Sequence, residues 1–308
     1  MMHSRLSLRR FTLALLLLAP LLLPGCGRGN KPTTTTTVKI GYMVCNSEKE
    51  TLQRFVPLTR YLSEKTGVTF EVVPVDTQDF EKRFKSGEFP LVHSNSLLYV
   101  VLKERYNLNL LAAEKRGQFG SRSAGAIIAR AGSGIKTLAD IRGKRMAFGP
   151  MLAPTGYLAE YDLMMKAGIN PERDLGYYAI PPGSYKHEKA IYSVLYGSFD
   201  VAAAPVLDLE VMTKEGKISP DQFVVLAQSQ LVPYCTFGAA KDADPDLVKR
   251  VRQALMDLKP TDTVEVDGEK VRVLKAAGID GYEQLLDSDY QPIRDMARRA
   301  NMPPYQTF

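Results

Sequence analysis

From residue 38 onward, short apolar runs alternate with stretches whose apolar residues recur every three or four positions. The first kind predicts strands and the second amphipathic helices. Strands are expected at 38–44, 68–75, 91–92 and 108–114. Between them, helices are expected at 50–65, 79–84 and 96–105, the first carried by Leu52, Phe55, Leu58 and Leu62 and stopped by Gly67. A second series follows: strand, loop, short helix and strand over 125–150, helices at 156–167 and 185–196, and strands at 175–180, 199–203 and 223–229. The segment 231–240 reads as a returning strand, with helices at 245–258, 282–286 and 292–300 after it. Such alternation predicts α/β lobes on mainly parallel sheets. The crossing near 122–126 and the return near 230 divide the chain into a first lobe of 38–123 and 230–308 and a second of 124–229. One lobe inserted in another through two crossover segments is a hinge architecture.

Ahead of the folded part, the apolar run of residues 13–26 follows Arg5, Arg9 and Arg10 and ends in Leu23-Pro24-Gly25-Cys26. A basic start, an apolar core and a small residue before the cut are what export machinery reads, and the run is short for a bilayer span. The pattern resembles a bacterial lipoprotein signal over residues 1–25, which implies an exported chain held on a membrane by lipid on Cys26. Residues 26–37, with the threonine run at 33–37, offer almost nothing to bury and read as a flexible spacer.

Charge and composition then exclude several classes. The net charge of +6 includes the three leader arginines, so about +3 remains on the mature chain. No basic stripe interleaved with aromatics is present, and nucleic acid is excluded as a partner. Beyond Cys26 only Cys45 and Cys235 remain, with no C-x-x-C pair or His/Cys cluster, so no metal site or cofactor is implied. In an oxidising compartment that pair is open to either a bridge or two free thiols. No nucleophile-and-base motif or P-loop suggests an enzyme.

Four ordered segments, SGIKTLADIRGKRMAFGP, PTGYLAEYDLMMKAGINPERD, HEKAIYSVLYGSFDVAAAP and GIDGYEQLLDSDYQPIRDMARRA, resemble the phosphonate/phosphate-type substrate-binding proteins of ABC transporters. These are two-lobed type II periplasmic binding proteins. The resemblance runs over 38–300 and implies a monomer that closes on one small oxyanion and delivers it to a membrane permease with its ATPase. In that family a Ser-Thr-Ser-Gly-Tyr stretch opens a helix and holds the oxyanion by hydroxyls and backbone N–H groups. Here the stretch is Ala153-Pro154-Thr155-Gly156-Tyr157, and only the hydroxyl of Thr155 survives. Thr155, Gly156 and Tyr157 are therefore candidate ligand contacts, with a plain helix cap as the other reading of Thr155. The departure leaves an uncharged or more apolar ligand open, and a sensory protein on the same scaffold is a further alternative. His187 matches the family's ligand-facing histidine, with a surface histidine near a helix start as its other reading. Asp208 lies near an acid that pairs with ligand amines, with an acid in a helix's first turn as its other reading. Relatives that take aminophosphonates carry an acid after the return-strand proline, where this chain has Tyr234 and Cys235 behind Pro233.

In the first lobe, ligands of open α/β sheets bind beyond the carboxyl ends of strands. That rule selects Tyr42, Asn46 and Ser47 after the first strand, and His93, Ser94, Asn95 and Ser96 after the third, with Tyr99 one turn into the next helix. The serines also read as helix caps and Tyr99 as core.

Overall fold

The computed structural model describes residues 37–181 and 187–307. The leader, Cys26 and nearly all of the spacer lie outside the described residues, as do Tyr185 and Lys186 at the start of the expected 185–196 helix.

Strand β1 (Val38–Met43) leads into α1 (Glu48–Thr66), where the Ser47 hydroxyl accepts the Glu50 N–H at 3.2 Å and caps the helix. Gly67, at φ 71°, closes α1 in the left-handed region that glycine enters without cost. Phe55, Leu58 and Leu62 are buried as their spacing predicts, whereas Leu52 faces outward. Next come β2 (Phe70–Val75), α2 (Thr77–Lys85), β3 (Leu91–Ser94), α3 (Ser96–Tyr106) and β4 (Asn109–Lys115). The chain crosses through β5 (Arg122–Ser123) into β6 (Gly125–Arg130), β7 (Arg145–Ala147), α4 (Ala159–Lys166), α5 (Pro171–Asp174) and β8 (Tyr177–Ala179). Then follow α6 (Glu188–Leu195), β9 (Val201–Pro205), α7 (Val206–Lys214) and β10 (Phe223–Gln228). It returns through β11 (Val232–Pro233) into β12 (Thr236–Ala239), α8 (Pro245–Asp257), β13 (Thr263–Val266), β14 (Glu269–Arg272), α9 (Val273–Ala277), β15 (Gly281–Glu283) and α10 (Gln291–Arg299).

The two larger sheets are ordered β15-β4-β12-β3-β1-β2 and β10-β6-β9-β7-β8. Their apolar residues form cores on both faces, with Phe55, Leu58 and Leu62 on one face of the first sheet and Phe80, Val100 and Ile293 on the other. The two crossover segments pair with each other, since β5 and β11 form an antiparallel ribbon through Val232↔Ser123 and Pro233↔Arg122. Helices flanking two sheets joined by two adjacent crossings make the two-lobed architecture. Among the described residues no helix is long and apolar enough to cross a membrane.

The sheets are mixed rather than mainly parallel. Strands β1, β2 and β3 run parallel, but β12 lies antiparallel between β3 and β4, and β15 antiparallel to β4. A strand that arrives from the other lobe enters from the opposite end and need not follow the helical crossover that enforces parallel pairing. The expected 282–286 helix is instead β15 followed by a short 3-10 turn, with Tyr282 buried and Leu286 exposed. The unpredicted β13–β14 hairpin turns on Asp267-Gly268, at φ 52° and 81°, the Asp-Gly pair that such a turn favours.

Candidate binding cleft

A cavity of about 540 Å³ opens between the carboxyl ends of the first sheet's β1 and β3 and the 150–155 segment of the second lobe. Its first-lobe wall carries two guanidinium groups. Arg54, on α1, lies over the Phe55 ring at 4.8 Å and donates through Nε to the Ala277 carbonyl at 3.0 Å. Arg116, just past β4, donates to the Tyr234 hydroxyl at 3.3 Å. Tyr234 is the main reason that Arg116 holds its charge firmly, with Asp208 and Glu114 adding to it against burial. For Arg54, burial works against the charge and is outweighed, chiefly by Glu114.

Below them, His93 Nε2 and Glu114 Oε1 are 2.8 Å apart in a pair with almost no exposure. Register explains the pair. His93 and Cys235 face the same side of adjacent strands, since β12 pairs Phe237 with His93 and Glu114 N–H donates to the Cys235 carbonyl at 2.8 Å. Burial opposes the Glu114 charge, but His93, Arg54 and Arg116 together hold its carboxyl below the ordinary value. Burial raises both cavity thiols, Cys45 and Cys235, and Cys235 is raised further by Glu114. Both cysteines are free. Cys45 follows β1 and Cys235 precedes β12, strands that flank β3 on either side.

The second-lobe wall is built by a wide turn over Pro154–Leu158, in which Thr155 is extended and Gly156 left-handed at φ 87°. Gly156 N–H donates to both oxygens of Glu160 at 2.8 Å, and its carbonyl accepts from Gly149 N–H at 2.7 Å. The His187 ring is seated on these two glycines. A Cβ at Gly149 or Gly156 would fall 2.4 or 2.3 Å from its Nδ1, a spacing no side chain tolerates. Burial lowers the His187 pKa, partly offset by Asp208, and burial raises that of Asp208 against the pull of His187 and Arg116.

Of the expected site residues, Asn46, His93, Asn95, Thr155, His187 and Asp208 line this cavity, whereas Ser47 caps α1. Asn95 does two things at once: its Oδ1 caps α3 at Leu98 N–H, 2.8 Å, and its Nδ2 donates across to the Leu152 carbonyl, 3.0 Å. Gly156 stands just behind the wall as the seat of His187. Tyr157 packs on Phe148 and Tyr161 rather than toward the cavity. Tyr42 is core, stacked on Phe55 with its hydroxyl 2.7 Å from Thr59. Ser94 and Ser96 are fully buried off the wall, and Asn95, not either serine, caps α3. Tyr99 packs on Tyr290 and donates to Asp287 at 2.7 Å, again away from the cavity. The strand-end rule counts position along a strand and is blind to the face a side chain takes, so it collected these core residues with the true wall. The same rule, carried one residue further, marks Arg116 at the end of the fourth strand. No local signal marks Arg54, which reads as a solvated position beside a helix stripe, or Glu160.

Comparison with known proteins fits this geometry. Residues 40–290 match the family described as "ABC transporter, phosphonate, periplasmic substrate-binding protein". An alignment of 236 positions that covers 72% of this chain is 28% identical to the tetrathionate sensor histidine kinase TtrS of Salmonella typhimurium, and the chain spans only 39% of that protein's length. PhnD1 of Prochlorococcus marinus, solved with methylphosphonate, superposes with a TM-score of 0.71 at 16% identity, over 86% of this chain and 98% of that one. The phosphonate-transporter binding component PA3383 of Pseudomonas aeruginosa gives 0.68 at 15%, over 86% and 87%. With four-fifths of its length inside the family match and the same two-lobed fold, the chain belongs to the phosphonate-type periplasmic substrate-binding proteins of ABC transporters.

Proposed function

We propose that this chain captures a small oxyanion between its two lobes and delivers it to an ABC permease. The observation that carries the reading is the pair Arg54 and Arg116 on one cavity wall, facing Thr155 and His187 on the other. Charge-assisted hydrogen bonds contribute about 1.5–3 kcal/mol each, so two guanidinium groups replace the hydroxyls missing at Ala153 and Pro154. The Gly156 N–H, committed to Glu160, is not the principal donor. Phosphonates, phosphate and sulfur oxyanions all have the required chemistry. The exported chain is further proposed to be lipid-anchored through Cys26 and to act as a monomer.

Thermal unfolding with phosphate, methylphosphonate, sulfate, thiosulfate, tetrathionate and neutral metabolites tests the reading. Ligand at a hundred times its dissociation constant adds about 2.7 kcal/mol of stability. An oxyanion should raise the midpoint, and Arg116→Gln should weaken its affinity by about 10- to 100-fold. Stabilisation by a neutral solute with no response to any oxyanion would overturn the proposal in favour of an uncharged ligand.

A second reading, sensing rather than transport, is favoured by the likeness to the Salmonella tetrathionate sensor. Deleting the gene separates the two: transport requires loss of ligand uptake, whereas sensing requires intact uptake with loss of a transcriptional response.

A further inference from the structure

At the cavity floor, an imidazole nitrogen of His93, a carboxylate oxygen of Glu114 and Cys235 Sγ all lie within 4.8 Å of one another. His93 and Cys235 reach the cavity wall. His93 Nδ1 and Glu114 Oε2 are buried with no hydrogen-bond partner. A thiol, an imidazole and a carboxylate that orients the imidazole are the parts of an activated nucleophile. They are also a donor set for a metal, but Arg54 and Arg116 both act on Glu114 and Cys235. Two cations at that range oppose a third and draw an anion. The Cys235 thiol is free and lines the cavity, so a covalent partner can reach it from there. Resting on the oxyanion reading above, we propose that Cys235 covalently captures oxyanions that carry a sulfur–sulfur bond, with His93 as its base and Glu114 as the residue that positions His93.

With tetrathionate as probe, His93 takes the Cys235 proton and Sγ attacks an inner sulfur. A bond forms between Sγ and that sulfur, and the central S–S bond breaks. Cys235 is left as Cys–S–S–SO₃⁻, and one thiosulfate dianion departs with the bonding electron pair. The thiol sulfur is oxidised, the departing half is reduced, and the proton is released to water. Arg54 and Arg116 hold the sulfonate groups while this happens. Burial keeps the free thiol protonated and slow toward oxidants that do not enter the site.

The test treats the full chain with tetrathionate near neutral pH, maps adducts by peptide mass spectrometry and measures released thiosulfate. In parallel it follows thermal unfolding of Cys235→Ser with the same anion. The expected result is one S–SO₃ group on Cys235, one equivalent of thiosulfate and an unmodified Cys45. His93→Gln should slow the adduct on the order of 100-fold, and Cys235→Ser should still be stabilised by tetrathionate. Should His93→Gln fail to fold, excess sulfate on the wild type takes its place, because an anion in the cavity must protect Cys235. Stabilisation of Cys235→Ser with no adduct in the wild type overturns the capture and leaves the oxyanion reading standing. So does modification of Cys45 at an equal rate, or of Cys235 at a rate that neither His93→Gln nor sulfate changes. No stabilisation and no adduct with any oxyanion of the panel overturns both.

Discussion

Glu160 gives the most quantitative test of the site's construction. Its carboxyl is fully buried between two glycines: both oxygens accept the Gly156 N–H at 2.8 Å, and a Cβ at Gly125 would sit 2.4 Å from Oε1. Burial pushes the carboxyl from 4.5 up to about 8, with backbone hydrogen bonds, led by that of Gly156, pulling it partly back. In the unfolded chain the group ionises near 4.5, so between that value and about 8 the folded protein keeps a proton that the unfolded chain has released. Stability therefore falls as pH rises through this window and levels off above it. At 1.36 kcal/mol for each pH unit, the fall attributable to this one carboxyl is at most about 5 kcal/mol. Glu160→Gln keeps the shape and one acceptor oxygen but cannot ionise. Urea unfolding of both proteins from mildly acidic to mildly alkaline pH isolates the effect, because titrations elsewhere cancel in the difference. The stability of the variant relative to wild type should climb by about 3–5 kcal/mol between pH 5 and pH 9. Parallel curves would refute the reasoning, since they would mean that Glu160 ionises alike folded and unfolded.

Gly156→Ala must force an alanine into φ 87° and drive its Cβ against His187. It should cost about 1–3 kcal/mol in urea unfolding together with oxyanion affinity, and unchanged values for both would remove the seat assigned to His187. Asn95→Ser should retain the α3 cap within about 0.5 kcal/mol while losing the reach to the Leu152 carbonyl. Small-angle scattering with saturating ligand should then show a more open molecule and stopped flow a faster release; a variant as closed as wild type would take the closing role from Asn95.

The elements were legible where the information is local. Phe55, Leu58 and Leu62 mark the buried face of α1 by period alone, and Gly67 marks its stop by the conformation only glycine takes easily. Strand direction was not legible, because β12 and β15 owe theirs to where the chain returns from, which no window of neighbouring residues encodes. The site divided in the same way. His187 and Asp208 were visible through motif order and meet in one cavity. Tyr42 and Tyr99 carry suitable hydroxyls near suitable strand ends, yet Thr59 and Asp287, far off in sequence, take those hydroxyls. Arg54 looks like a solvated helix residue until Ala277, brought in by α9, turns it toward the cleft.

The placement of charge in the cavity bears on how the pocket works. A turn that holds an oxyanion through its own amides needs free N–H groups; here Pro154 has none and Glu160 accepts that of Gly156. An internal carboxyl thus sits where a ligand's negative group would otherwise be held, and it is tolerable there because burial keeps it protonated near neutral pH. The positive charge of the pocket lies on the opposite wall, on Arg54 and Arg116 of the first lobe. Guanidinium groups are permanently charged and act over a longer range than a neutral amide. On the proposed reading, an incoming anion meets the first lobe before the second, and closure adds Thr155, His187 and the Asn95–Leu152 bond to an anion already held.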